Sequence, residues 1–258
     1  MIETVEAIRN QFASLFKGKH FVPDRTGQMT IEILGAQFIA SEDTIFGRPN
    51  AGYITKEIGW YMSRSLNIND MDPPIPQIWS AAAGDNGEVN SNYGYLVFDP
   101  KNHNQADNCI FELRRNQWSR RAIMIYTRPS MWYEFEKNGM SDFMCTNGVQ
   151  YFIRQNPGET DVLRLFAKVD MRSNDAWAGY RNDYAWQMFI FKYVYAALKT
   201  TYSNLKPGAI IWDCGSLHVY ERNFDLVQHY IDTGDPIPSP EDLMPTRRGL
   251  VEKGIIRE

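Results

Sequence analysis

Cys145 lies in the run SDFMCTNGVQYFIR, and a second run, MRSNDAWAGYRNDYAWQ, carries Arg172, Ser173, Asp175, Gly179 and Asp183. Arg172 and Ser173 suit a phosphate, Asp175 and Asp183 suit polar ring or peptide atoms, and Gly179 permits close backbone approach. A thiolate set among such groups can add to C6 of a pyrimidine nucleotide. C5 then becomes an enamine-like carbon able to attack an electrophilic one-carbon donor. The thiol needs nearby positive charge, the phosphate needs guanidinium forks, and the ring needs hydrogen bonds as its negative charge develops. Arg25 in the turn-like DRTG, and Arg120 and Arg121 after Ser119, extend the set of forks. Taken singly these residues have plainer readings. A lone cysteine is most often a small buried hydrophobe, and a lone arginine a solvated charge.

The elements that position these groups follow from periodicity. Thr4 to Phe16 is predicted to form an amphipathic opening helix, MTIEILGAQFIA a strand, and GYITKEIGWYMSRSL a helix carrying Glu57 and ending at the Pro-rich MDPPIP. NCIFELRRN reads as helical, and RRAIMIYTR and MCTNGVQYFIR as successive buried strands, with Cys145 at a strand start. If the first of these strands is regular, Arg120 and Arg121 point oppositely. VLRLFAKVDMRS reads as a strand, YAWQMFIFKYVYAALKT as a buried helix beginning near Asp183, GAIIWDCGSLHVYE as a strand pair or bulged strand, and NFDLVQHYIDTG as a helix stopped by Gly234. Without regular βαβ alternation or a repeat, this order favours an α+β domain on one mixed or antiparallel sheet. Residues 235–258, proline-interrupted and charged, read as an irregular tail.

Composition narrows the function classes. At 258 residues without a linker-like stretch, a single domain is expected over 1–258. Three dispersed cysteines match no disulfide framework or zinc spacing, so no metal is expected. A formal charge of −4 argues against a nucleic-acid partner, leaving small anions held by local arginines. No apolar run approaches the roughly 20 residues a membrane span needs, and MIETVEAIRNQF lacks the pattern of a secretion signal, so a cytoplasmic protein is expected.

DRTG, IW followed by NYG, SRR, the cysteine strand, RSNDAWAG and HVY resemble the thymidylate synthase superfamily across nearly the whole chain. SRRAIMIYTRPSM, DFMCTN, VQY, MRSNDAW, RNDYAWQ and GSLHVY resemble more closely its phage deoxycytidylate hydroxymethylases. The resemblance implies a thymidylate synthase-like fold and a homodimer with shared sites, binding dCMP and 5,10-methylenetetrahydrofolate as co-substrate. It makes Cys145 the nucleophile and Glu57 the residue that orders water and moves protons. Arg25, Arg172 and Ser173 would hold the phosphate within one subunit, with Arg120 and Arg121 reaching from the other, and Asn174 and Asp175 would also bind substrate. His218 and Tyr220, which share a strand face, can bind the deoxyribose hydroxyl or pack in the core. Trp79, Asp175 and Gly179 would contact the folate; Trp79, Asn92 and Tyr93 would line the folate or ring pocket, with simple core packing as their plainer reading.

Two departures from the synthases carry meaning: Thr146 replaces the histidine after the nucleophile, and Asp183 replaces the asparagine that reads uracil. A carboxyl group can accept from the N4 amino group of cytosine and, when protonated, donate to N3. Asp183 therefore selects cytosine on this reading, and caps the following helix on the plainer one. Hydroxymethylation of dCMP by water addition is the reaction implied. Reductive methylation of the same nucleotide, and a silent nucleotide- or folate-binding subunit, are the alternatives.

Overall fold

Thr4 closes a two-residue strand and opens the first helix, its hydroxyl oxygen accepting from the Ala7 N–H at 3.1 Å. The same logic of local signals runs through the computed structural model, which describes residues 2–257. In chain order the elements are β1 (Glu3–Thr4), α1 (Val5–Lys17), β2 (Val22–Pro23), β3 (Met29–Ile39), α2 (Ala51–Ser63), α3 (Gln77–Ala82), α4 (Tyr93–Phe98) and α5 (Gln105–Arg115). They continue as β4 (Ile123–Ile125), α6 (Met131–Glu134), β5 (Thr146–Arg154), β6 (Leu163–Asp175), α7 (Ala178–Lys199), β7 (Leu205–Tyr220), α8 (Phe224–Thr233) and α9 (Pro240–Glu252).

The strands run in the order β1-β3-β7-β6-β5-β4, with β2 on β3. β1 is parallel to β3, whereas β2 and β7 pair with β3, and β4 with β5, in antiparallel fashion. The sheet is therefore mixed and the class α+β, as the element order predicts. β7 is one long strand rather than a strand pair. Where it passes β3, Gly35 faces Gly215 and the register is kept on both sides, Leu34 opposite Ser216 and Ala36 opposite Cys214. Gly35 has φ 66°, and a Cβ on Gly215 would lie 2.8 Å from the Arg172 carbonyl oxygen, so glycine at both places lets the strands bend without slipping.

The chain divides into two compact units, each assembled from discontinuous segments: Met1–Asn50, Met171–Ala185 and Ile211–Glu258 form the first, Ala51–Asp170 and Trp186–Ile210 the second. In the first, Phe12, Phe16 and Phe224 are buried, with Phe16 edge-on to Phe224 at 5.5 Å. Arg9 is buried beside them and bridges Glu42 at 2.6 Å while donating to the Ile45 and Thr44 carbonyls, so its charge and donors are met. In the second unit, alternate residues Leu165, Ala167 and Val169 of β6 face a core shared with Val149, Tyr151 and Ile153 of β5. Trp186 of α7 is fully buried and donates to the Tyr126 hydroxyl at 3.1 Å.

Three expectations are corrected. The segment RRAIMIYTR is not a buried strand; only Ile123–Ile125 pair, at the sheet edge, with Met124 buried and Ile123 and Ile125 exposed by 45% and 55%. Residues 235–258 are not an irregular tail, because Ser239 and Asp242 form a reciprocal capping box that starts α9 with Pro240 in its first turn, while Leu250 is buried. The long helix starts at Ala178 rather than near Asp183, which places Asp183 inside α7 and rules out a capping role. Gly179 and the polar run after it masked that first turn. The Pro-rich stretch and the NYG segment also lead into helices, α3 and α4, that periodicity did not signal because each has six residues.

Candidate active site

In the second unit α2 carries Glu57 inward, leaving it 7% exposed. The Tyr53 hydroxyl donates to Glu57 Oε1 at 2.6 Å and the Trp79 indole N–H at 3.0 Å, and Tyr61 also hydrogen-bonds the carboxyl. Burial nevertheless dominates and pushes the pKa up to about 7, because three neutral donors offset only part of the desolvation of the charged form. A carboxyl poised at neutrality can give or take a proton at working pH. Sequence reasoning singled out Glu57 and Trp79 and missed Tyr53 and Tyr61. Their spacing of four on either side of Glu57 was the available signal, since such residues stack along one helix face.

Cys145 is half-buried and immediately precedes β5, as expected, at the end of a stretch without regular structure. That stretch is fixed by Asp142, a residue sequence reasoning missed. Its Oδ2 accepts the backbone N–H groups of Asn90 and Ser91 at 2.7 and 2.8 Å, and its Oδ1 accepts from the Ser91 hydroxyl at 2.6 Å. The Ser141 N–H adds a bond to the Ala82 carbonyl at 2.9 Å. After the cysteine, buried Thr146 donates to the Tyr93 hydroxyl at 3.1 Å, and the Tyr93 ring stacks on Tyr61 at 5.3 Å. A run of contacts thus joins the residue beside the sulfur to the helix that holds Glu57. Asn92 is fully buried as the N-cap of α4 and donates to the Trp60 and Ser65 carbonyls, a structural post. Asp142→Ala leaves two N–H groups unsatisfied; a loss of about 3 kcal/mol in chemical denaturation is expected, with kcat falling more than KM changes. An unchanged midpoint would remove Asp142 from this role.

Arg120 and Arg121 precede β4 in an irregular segment, so strand alternation does not set their directions. Both are exposed. Arg121 lies 3.0 Å from Glu112, which also accepts from buried Ser119, while the Arg120 side chain meets no partner among the described residues.

In the first unit β6 ends in Arg172, Ser173, Asn174 and Asp175 and leads directly into α7. Arg172 is exposed and Ser173 half-buried. Asn174 is buried, and its amide N–H donates to Asp183 Oδ2 at 2.7 Å. Asp175 Oδ1 accepts the Trp177 N–H at 2.9 Å. Burial raises its pKa, against the lowering effect of that bond and of the neighbouring His218 and Arg222. His218 and Tyr220 do share a face of β7, their rings edge-to-face at 4.9 Å, and the Arg222 guanidinium stacks over Tyr220 at 4.2 Å. The His218 carbonyl accepts from Ala176 at 2.8 Å, anchoring the turn into α7. Gly179 packs against Asn174: a Cβ there would lie 3.0 Å from its Nδ2. Arg25 is exposed on a turn organised by Asp24, whose Oδ1 accepts the Thr26 N–H at 2.8 Å, the Thr26 hydroxyl at 2.7 Å and the Gln28 N–H at 3.0 Å.

Asp175 is a half-buried acceptor suited to an N–H-bearing heterocycle, and Trp79 presents an indole beside Glu57. Among the described residues no group of three or more metal-binding side chains occurs.

Residues 10–245 match the family model described as thymidylate synthase. The chain belongs to the thymidylate synthase family. Within the family it is 48% identical over 241 residues to the deoxycytidylate 5-hydroxymethyltransferase of Enterobacteria phage T4, covering 93% of this chain and 95% of the relative. It is 49% identical over 234 residues to the enzyme of that name from Enterobacteria phage T2, covering 90% and 92%. The family fold is also seen in the thermostable thymidylate synthase A from Bacillus subtilis, with a TM-score of 0.62 and 20% identity over 87% of this chain and 83% of that one.

Proposed function

We propose that this protein transfers a one-carbon unit from 5,10-methylenetetrahydrofolate to C5 of dCMP and yields 5-hydroxymethyl-dCMP. Similarity to the phage deoxycytidylate 5-hydroxymethyltransferases over more than nine-tenths of the chain is the observation that carries this reading. The folate, when bound, supplies the electrophilic methylene carbon. Cys145 adds its sulfur to C6, C5 bonds to the transferred carbon as that carbon's bond to the folate nitrogen breaks and tetrahydrofolate departs, C5 gives up its proton, and the sulfur leaves after water has added to the exocyclic carbon. Glu57, held near neutrality, moves protons at the ring and orients that water. Arg25, Arg172 and Ser173 hold the phosphate together with Arg120 and Arg121 from a partner subunit. His218 and Tyr220 bind the sugar, Asp183 reads the base, and Trp79, Asp175 and Gly179 face the folate.

A homodimer is supported by the exposure of Trp118, Ile123 and Ile125 around the two arginines. The interleaved segments of the two units support reading the chain as one working domain. No described helix is long and apolar enough to cross a membrane. Together with the net charge of −4, that supports an enzyme of the infected host's cytoplasm that acts on free nucleotide without binding nucleic acid.

Incubation with dCMP and methylenetetrahydrofolate, followed by mass spectrometry of the nucleotide and an assay for dihydrofolate, tests the reaction. A product heavier by CH2O without dihydrofolate is expected. Methylated nucleotide with stoichiometric dihydrofolate would replace water addition by reduction, and absence of turnover would leave a binding subunit. Asp183→Asn is expected to shift the dCMP-to-dUMP ratio of kcat/KM towards dUMP by about ten- to a hundredfold, because opposed lone pairs are replaced by a donor facing O4. An unaltered ratio would remove Asp183 from base selection.

A further inference from the structure

A carboxylic acid is an ambiguous reader of pyrimidines. With its proton on one oxygen it complements cytosine, accepting from the N4 amino group and donating to N3. With the proton moved to the other oxygen it complements uracil equally well, donating to O4 and accepting from N3–H. A selective site therefore has to control not only that an aspartate is present but which of its oxygens bears the proton.

Asn174 is placed to do this. It is 3% exposed, and its Nδ2 donates to Asp183 Oδ2 at 2.7 Å. Its Oδ1 has no hydrogen-bond partner among the described residues, so no donor holds the amide from its other end. The alternative amide orientation would set two oxygens against each other unless Oδ2 were protonated. Gly179 makes the arrangement sterically available, since a Cβ there would lie 3.0 Å from Asn174 Nδ2. A carbonyl-type oxygen accepts a hydrogen bond better than the hydroxyl oxygen of a carboxylic acid. The Asn174 N–H therefore favours Oδ2 as acceptor and sends any proton on Asp183 to Oδ1.

We infer that Asn174 is a positioning residue for base selection: its hydrogen bond biases Asp183 towards the arrangement in which Oδ2 accepts from the cytosine amino group and Oδ1 donates to N3. This rests on the proposed dCMP reaction and refines it. Asn174 then acts through Asp183 and does not itself read the base, and Gly179 serves the same device by its lack of a side chain.

The test compares kcat/KM for dCMP and dUMP in the wild-type enzyme, Asn174→Ala and Asn174→Asp between pH 6 and 9, with circular dichroism to establish folding. Asn174→Ala is expected to reduce the dCMP preference about tenfold, the factor one net hydrogen bond contributes. Asn174→Asp keeps the shape but opposes two carboxyl groups, which share one proton at low pH and lose it as pH rises. Its dCMP preference should approach that of wild type at the acid end and fall towards the alkaline end, a trend that loss of packing would not produce. Asp175, His218 and Arg222, which interact electrostatically in the same unit, are common to all three proteins, so variants are compared at each pH. A folded Asn174→Ala enzyme whose preference stays within twofold of wild type, or an Asn174→Asp enzyme with a pH-independent preference, would overturn the inference. If Asn174→Ala fails to fold, the isosteric Asn174→Asp series decides alone. A wild-type enzyme without dCMP preference would instead sink the functional reading beneath it.

Discussion

Cys145→Ser is expected to lower kcat by at least about 10³-fold while leaving dCMP affinity within about threefold. Serine matches the cysteine in shape, and the anchors on either side of the position, Asp142 with Asn90 and Ser91, and Thr146 with Tyr93, lie outside the substitution. The binding surface should therefore survive. What is lost is nucleophilicity, because a hydroxyl is not ionised at neutral pH and a thiol readily becomes so near positive charge. Single-turnover kinetics alongside equilibrium titration with dCMP separate the two effects. A serine enzyme that turns over within tenfold of wild type would take the sulfur out of the reaction, and an equal loss of binding would mean that the residue supports the pocket instead.

Glu57→Gln carries the second large effect, with opposite signs for activity and stability. The rate should fall about 10²- to 10⁴-fold, the usual contribution of a positioned acid–base group, and the limb near pH 7 in the wild-type kcat/KM profile should disappear. Stability should rise at alkaline pH. The folded-state pKa is raised from 4.5 to about 7, so between those values the folded protein binds the extra proton, and stability declines as pH climbs through that window. Above it the wild-type enzyme carries a penalty on the order of 3 kcal/mol from this one group. Glutamine never ionises, and its side-chain oxygen still accepts from Tyr53 and Trp79. Denaturation at pH 8 should therefore show the variant more stable than wild type, with the advantage vanishing towards pH 4.5. Equal stability at both pH values would mean that Glu57 is not desolvated as the geometry requires, and a persistent limb near pH 7 would assign that titration to another group. A gain in stability accompanied by a loss of rate is what a desolvated acid–base carboxyl would show on replacement.

Several parts of the molecule were legible residue by residue. The opening helix showed itself through Val5, Ile8, Phe12 and Phe16 at helical spacing, and all four are buried. The strand character of VLRLFAKVDMRS is matched by an alternation of buried and half-buried residues through β6. Gly234, at φ 76°, ends α8 where a stop was expected. These signals are local, since a repeat of 3.6 or 2 residues survives in the sequence whatever packs against it. The edge position of β4 left no such trace: IMI is apolar enough for a central strand, yet it ends the sheet order and buries only the face of Met124, leaving Ile123 and Ile125 exposed on the other. The helix over Pro240–Glu252 was hidden by its prolines, although the Ser239–Asp242 pair that starts it was present in the sequence.

The same division runs through the site. By residue type and motif alone, the sequence singled out Cys145 as the candidate nucleophile, the carboxyls Glu57, Asp175 and Asp183 and the arginines as candidate partners, and pointed to the family and to an α+β fold on one sheet. Tertiary structure alone decided that Glu57 is buried and ringed by Tyr53, Tyr61 and Trp79, that Asp142 pins the approach to Cys145, and that Asn174 grips Asp183. The reason is physical. A side chain's chemical class is written in its own letter, whereas its proton affinity depends on burial and on partners such as Trp79, 22 residues further along, or Asn90, 52 residues before Asp142. Those neighbours are set by how the chain closes on itself and carry no period of their own.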